Sequence, residues 1–170
     1  MRPLVLHAFL WGVALSIVFG ALLVAILRVN PEVMLNDYPP DIRARWGPMT
    51  PRTKRRRWIA AGTLLVALLA TVATSLVTLP AVVAHHFPFW SAFVYFLVMF
   101  GAVNVFDWLV LDCALVYWRP QFVVLPGTEE MAGYRNYRFH FRGFLLGIPV
   151  VLSGSALAAA VVSLLELPRS

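Results

Sequence analysis

The sequence predicts an all-α polytopic membrane protein, four transmembrane helices in a compact bundle with both termini outside. Three observations lead there. Apolar residues make up 61% of the 170-residue chain and charged residues 13%, against roughly 45–50% and about 25% in soluble globular domains; a mean hydropathy of +0.78 agrees. Four apolar stretches each reach the roughly 20 residues that a spanning helix needs. Lys and Arg gather in two of the connections, as topology requires. This composition excludes a disordered chain and a disulfide scaffold. Cys113 is the single cysteine, which rules out an intramolecular disulfide and a paired Cys/His zinc motif. The net charge of +6 would suit a nucleic-acid module, but its placement suits membrane orientation better.

Helix one is Leu4–Leu27. Its apolar run is about twice the length of a signal-peptide core and lacks a small-residue cleavage site before a polar start, so it is expected to remain as a span. Ala8, Gly12, Ser16 and Gly20 recur every fourth residue, a stripe that serves helix packing or a homo-oligomer interface. The connection 28–57 holds eight of the 14 Lys and Arg, with Lys54, Arg55, Arg56 and Arg57 set to meet lipid headgroups. Asn30-Pro31 and Pro39-Pro40-Asp41 are turn or helix-start signals, predicting one or two short helices. Helix two is Trp58–Leu79, with Thr63, Ala67, Thr71, Thr74, Ser75 and Thr78 mostly on one stripe. The link 81–88 carries no Lys or Arg.

Helix three runs from Phe89 to about Trp118, some 45 Å at 1.5 Å per residue, so it must tilt or protrude. The connection 119–141 contains the β-like run Gln121–Leu125, closed by the turn pair Pro126-Gly127. Tyr134, Arg135, Tyr137, Arg138, Phe139, Phe141 and Arg142 then interleave rings with guanidinium groups. This pattern suits an interfacial belt, with Arg135 and Arg138 on headgroup phosphates, better than single-stranded nucleic acid. Helix four is roughly Arg142–Leu167, and Gly143, Gly147, Ser155, Ala159 and Ser163 are its packing residues. The chain is one transmembrane domain, 1–170. Twelve of the 14 basic residues fall on one face, the cytoplasmic face by the positive-inside rule.

Asn104, Asp107 and Asp112 interrupt helix three. At 100° per residue, with Asn104 as origin, Asp107 falls near −60° and Asp112 near +80°. One broad face therefore holds all three, and it should point into protein, since a carboxylate facing lipid costs at least about 2.5–3.5 kcal/mol. By helical rise Asp112 lies about 9 Å and Asp107 about 16 Å from the cytoplasmic end. Pro149 displaces the carbonyl of Leu145, so helix four should kink at similar depth. A kinked helix facing buried carboxylates is one way to build a binding or ion site. The structural alternative pairs Asp112 with Arg142, Arg119 or Arg28 and simply locks the bundle. Asp107 is deeper, has no evident basic partner, and is the stronger functional candidate.

His7, His85, His86 and Glu166 fall at the outer boundary. Together they are weak candidates for a metal or haem site, since interfacial histidines are the plainer account and no cofactor is required; His140 lies on the other side and cannot join them. No nucleophile elbow, phosphate loop or zinc-protease motif occurs, which leans against an enzyme. Asn36–Ile42 (NDYPPDI), Asn104–Asp112 (NVFDWLVLD), Val124–Glu129 (VLPGTE) and Phe139–Phe144 (FHFRGF) together resemble a group of small uncharacterised bacterial four-helix membrane proteins. The resemblance implies a bacterial cytoplasmic (inner) membrane and brings no activity with it. Three functions follow in order: transport or binding of a small solute or ion at the polar intramembrane site, a partner or assembly subunit of a membrane complex, and a metal- or haem-binding protein. The expected partners are the lipid bilayer and a second copy or another membrane protein, not nucleic acid.

Overall fold

In the computed structural model, residues 1–79, 87–113, 118 and 121–166 are described, Glu166 by its place in a helix alone, and every regular element among them is helical. Helix α1 spans Arg2–Val29, with Pro3 in the first turn, where its missing amide would have no partner anyway. Asn30 ends α1 and starts the next element, its side chain accepting from the Glu32 amide at 3.0 Å. A short 3₁₀ segment, Pro31–Asp37, leads to α2, Pro40–Trp46. Gly47 stops α2 at φ 89°, a left-handed conformation that glycine adopts without a Cβ penalty.

Helix α3 spans Pro51–Thr78 and so begins seven residues before the apolar run. Hydropathy marks where a bilayer core starts, whereas capping marks where a helix starts. Thr50 accepts from the Thr53 amide at 3.1 Å. The Glu32 carboxylate receives the Thr50 amide at 3.3 Å and the Thr53 hydroxyl at 2.7 Å, and its charge suits the positive end of the helix dipole. Lys54, Arg55, Arg56 and Arg57 therefore sit on helix, not loop. Helix α4, Phe89–Phe106, continues into a π-helical turn at Asp107–Asp112. Helix α5, Tyr137–Glu166, starts five residues ahead of the expected boundary, with Asn136 Oδ1 accepting from the Phe139 amide at 3.1 Å. The helix runs on through Pro149, whose missing amide removes the single rung to the Leu145 carbonyl. The β-like run Gln121–Leu125 forms turns rather than a strand, because it meets no strand partner and its valines pack sideways into a loop core.

Four helices are long and apolar enough to cross a membrane: Arg2–Val29, Pro51–Thr78, Phe89–Asp112 and Tyr137–Leu165. The chain is thus an all-α polytopic membrane protein. Its helices pack in the order α3, α1, α4, α5, with α4 held between α1 and α5. The seams close where one helix lacks a side chain. A Cβ on Gly12 would lie 2.9 Å from Ala102 Cβ and 3.0 Å from the Met99 carbonyl, and one on Gly20 would meet the Phe106 ring at 2.9 Å. A Cβ on Gly147 would collide with the Asn104 side chain. The stripe on α1 is therefore consumed inside the chain: Ala8, Gly12, Ser16 and Gly20 are buried against α4, which leaves it unavailable as a surface between copies. Around this seam lies the helix core, including Leu4, Leu15, Ala92, Tyr95, Phe96 and Met99, all buried.

A second core sits at the end of the bundle where the basic connections lie. Leu35, Tyr38, Ile42, Met49, Leu125 and Tyr134 bury one another, so the two connections fold together as a cap. Polar bonds staple them. The Tyr38 hydroxyl donates to the Val123 carbonyl at 2.6 Å, and the Gly133 amide donates to Asp41 at 3.0 Å. Tyr134 Oη accepts from the Leu125 amide at 2.9 Å. Thr128 gives its single hydroxyl proton to the Leu125 carbonyl at 2.7 Å, so at 2.8 Å Tyr134 donates to Thr128.

Two substitution sets test this packing by thermal unfolding in mild detergent. Gly12→Ala should cost about 1–3 kcal/mol because the backbone facing it cannot yield, while Gly62→Ala, with nothing within 4 Å, should be neutral or stabilising by about 0.5–1 kcal/mol through helix propensity. Tyr134→Phe should cost about 1–3 kcal/mol by stranding the buried Leu125 amide and should speed protease cleavage within 121–136, with Tyr137→Phe, exposed and outside the staple, unchanged.

Candidate functional site

Between the helix core and the cap lies a cavity of about 1040 Å³. Its floor is α1 and the π turn, through Phe19, Leu23, Leu27 and Leu111; its flanks are Leu64 of α3 and Leu145 and Leu146 of α5; its roof is the cap, through Asp37, Tyr38 and Tyr134. Asp107, Asp112, His140 and Arg142 complete the polar lining. Segments distant in sequence thus meet here: Asn36–Ile42 from the first connection, the Asp107–Asp112 turn, and Phe139–Phe144 from the start of α5 all contribute to one wall system.

The π turn decides how the two acids face. On a continuous α-helix, residues five apart point about 140° away from one another. In a turn closed by i→i+5 bonds they come nearly over one another. The Cys113 amide reaches back to the Trp108 carbonyl in that way, and Asp107 and Asp112 accordingly line the same cavity. A departure from α geometry thus lies on α4, inside the acidic segment itself. Nothing in Asp-Trp-Leu-Val-Leu-Asp announces it, since the segment has neither proline nor glycine.

Asp112 pairs with His140, Oδ1 to Nδ1 at 3.0 Å, both side chains largely shielded at 30% and 14% exposure. Of the anticipated arginine partners, Arg28 lies over the Phe122 ring at 5.2 Å, Arg142 lines the cavity, and Arg119 lies outside the described residues. His140 would have been legible had α5 been started at Tyr137. His140, Gly143, Phe144 and Gly147 then fall at i, i+3, i+4 and i+7, one helix face. Asp107 forms no hydrogen bond or ion pair among the described residues. Asn104 is not part of the cavity wall. It donates to the Phe144 carbonyl at 3.3 Å, tying α4 to α5. Pro149 lies on the outward surface of α5, away from the carboxylates.

At the mouth, Asp37 faces Arg57, Oδ2 to Nη2 at 3.8 Å. Solvent reaches 62% of the Asp37 side chain. Burial pushes its pKa up, with Arg57 and Arg43 pulling it down and Asp112 adding to the rise. Burial likewise raises the neighbouring Tyr38 phenol, reinforced by Tyr134 and Asp37. Arg57 is partly shielded beside Asp37, while Lys54, Arg55, Arg56, Arg135 and Arg138 stay exposed.

At the opposite end, His7 is fully engaged. The Trp11 indole can only donate, so His7 Nε2 accepts its N–H at 3.2 Å and Nδ1 donates to Tyr95 Oη at 3.1 Å. Thr78 Oγ1 stands 3.1 Å from the same Nε2. The arrangement ties α1, α3 and α4 together, which accounts for a polar ring in an apolar setting. His85, His86 and the Glu166 side chain lie outside the described residues. Among the described residues no group of three or more metal-ligating side chains forms.

A double-mutant cycle on His140→Ala and Asp112→Ala, read by thermal unfolding, should give a coupling of about 1–2 kcal/mol, above exposed pairs and below fully buried ones. A coupling near zero would mean that the pair does not hold α5 to the π turn. The chain matches no family model, no curated protein and no solved structure, so the site is read from its own chemistry.

Proposed function

We propose that this protein binds, and in a membrane transports, a small cationic solute held by Asp107 and Asp112 in the cavity between cap and helices. The observation that carries this reading is the cavity itself: drug-sized, walled mainly by leucine and phenylalanine, with three aspartates against one permanent cation, Arg142, in its lining. Ligand pockets typically have this make-up, a mostly apolar wall with a few convergent polar groups. Asp107 supplies an unneutralised carboxylate at membrane depth, where a lone charge costs about 2.5–3.5 kcal/mol or more. A cation against it recovers much of that cost, and an uncharged solute recovers none. By the positive-inside rule the capped end faces the cytoplasm and both termini lie opposite, so the solute site communicates with the cytoplasmic side.

Thermal-shift and calorimetric titrations of the purified protein with sodium, potassium, methylammonium and methanol, the uncharged counterpart of methylammonium, test the reading. At least one cation should bind about 100-fold more tightly than methanol, the ratio that a charge term of about 2.5–3.5 kcal/mol gives. Asp107→Asn should abolish that preference while leaving the protein folded. Equal response to cations and methanol, or full cation binding by Asp107→Asn, would overturn the assignment.

A further inference from the structure

The wall of the cavity says more about the solute than its charge does. A bare inorganic cation fills only a small part of about 1040 Å³, and the remainder would be water, at about 30 Å³ per molecule, against Phe19, Leu23, Leu27, Leu64, Leu145 and Leu146. Water in such surroundings finds few hydrogen-bond partners on the leucine side. The polar groups are also segregated. Asp107, Asp112, His140 and Arg142 gather where the π turn meets α5, and Asn36, Asp37, Tyr38 and Tyr134 line the cap side, while α1, α3 and the next turn of α5 contribute only apolar side chains. The cavity is therefore amphipathic, one end acidic and one end aliphatic. On the flank, α3 and α5 are the outer members of the packing order and do not form a seam comparable to those of α4. Leu146, on that flank, is 73% exposed while also lining the cavity, so its apolar end is continuous with the bilayer side of the protein.

We infer that the solute is an amphipathic organic amine, with its ammonium between Asp107 and Asp112 and its hydrocarbon body along Leu23, Leu64, Leu145 and Leu146. This rests on the cation-site reading above and specifies the class of its ligand. The Asp112–His140 pair then has a direct part in binding. The ammonium and the imidazole share one carboxylate, so an occupying amine loosens the bond that holds the start of α5 to the π turn. Asp107, with no partner of its own among the described residues, is the anchor. Asp37 and Arg57 stand at the mouth, where their charges oppose one another.

The test uses the full chain in zwitterionic-lipid nanodiscs with methyl-, butyl-, hexyl- and octylammonium, and with octanol and octanoate as uncharged and anionic counterparts. Binding is read from intrinsic tryptophan fluorescence, since Trp108 stacks on Phe144 at 4.8 Å beside the site, and partition into lipid is measured separately with protein-free vesicles of the same lipid. Affinity should rise about fourfold per methylene, the factor expected from burying each CH₂, and octylammonium should exceed octanol and octanoate by about 100-fold. Leu64→Trp, which narrows the aliphatic end without touching the acids, should weaken octylammonium more than tenfold and leave methylammonium within about twofold. Asp107-dependent binding of sodium, potassium or methylammonium with no gain along the series would overturn the amphipathic assignment and leave the cation site standing. Binding of none of these ions would overturn both. Should Asp107→Asn fail to fold, the Leu64→Trp contrast decides alone, because equal weakening of short and long amines refutes an aliphatic subsite.

Discussion

Lipid tails solvate leucine as well as another leucine does, so helices in a bilayer are held by how closely they touch rather than by escape from water. In this protein contact is closest along α4, which glycines on both neighbours admit: Gly12 and Gly20 of α1 on one side, Gly147 of α5 on the other. The rest of the architecture follows from those two seams. With α4 held between α1 and α5, helix α3 is left to pack on α1. The glycine contacts end near the π turn, below which the helices stand apart enough to leave a cavity. The His7 cluster reinforces the far end, where α1, α3 and α4 meet.

That opening is roofed by a second, independent core. The two basic connections, far apart in sequence, bury Tyr38 and Tyr134 against one another edge to face at 6.0 Å and satisfy each other's backbone groups. A roof built this way is a small globular unit on a membrane domain, and its stability comes from exclusion of water, unlike that of the helices beneath it. The cavity therefore lies between two regions stabilised by different physics. Its acidic residues come from both: Asp37 from the cap, Asp107 and Asp112 from the helix.

Much of this was legible residue by residue. The spans were visible because a bilayer demands long apolar runs, and the stripe Ala8, Gly12, Ser16, Gly20 was visible because close packing demands small side chains at helical spacing. Asp107 and Asp112 stood out because hydrocarbon penalises charge. The helix starts at Pro51 and Tyr137 were less visible, since hydropathy follows membrane depth while a helix follows its caps, Thr50 and Asn136. His140 was obscured for that reason, since it precedes the apolar run, and Asp37 because only tertiary packing brings its segment to the acids.

What the sequence by itself determined is the class of protein, the number of spans and the presence of two acids where the bilayer disfavours them, because each depends on composition and on spacing along one chain. Tertiary structure decided which groups meet those acids. The pairing of Asp112 with His140, the use of the α1 stripe within the chain, and the folding of two connections into a single cap all depend on contacts between segments distant in sequence. Such contacts are set by which surfaces come within reach once four helices and two loops have packed, and no local pattern records them.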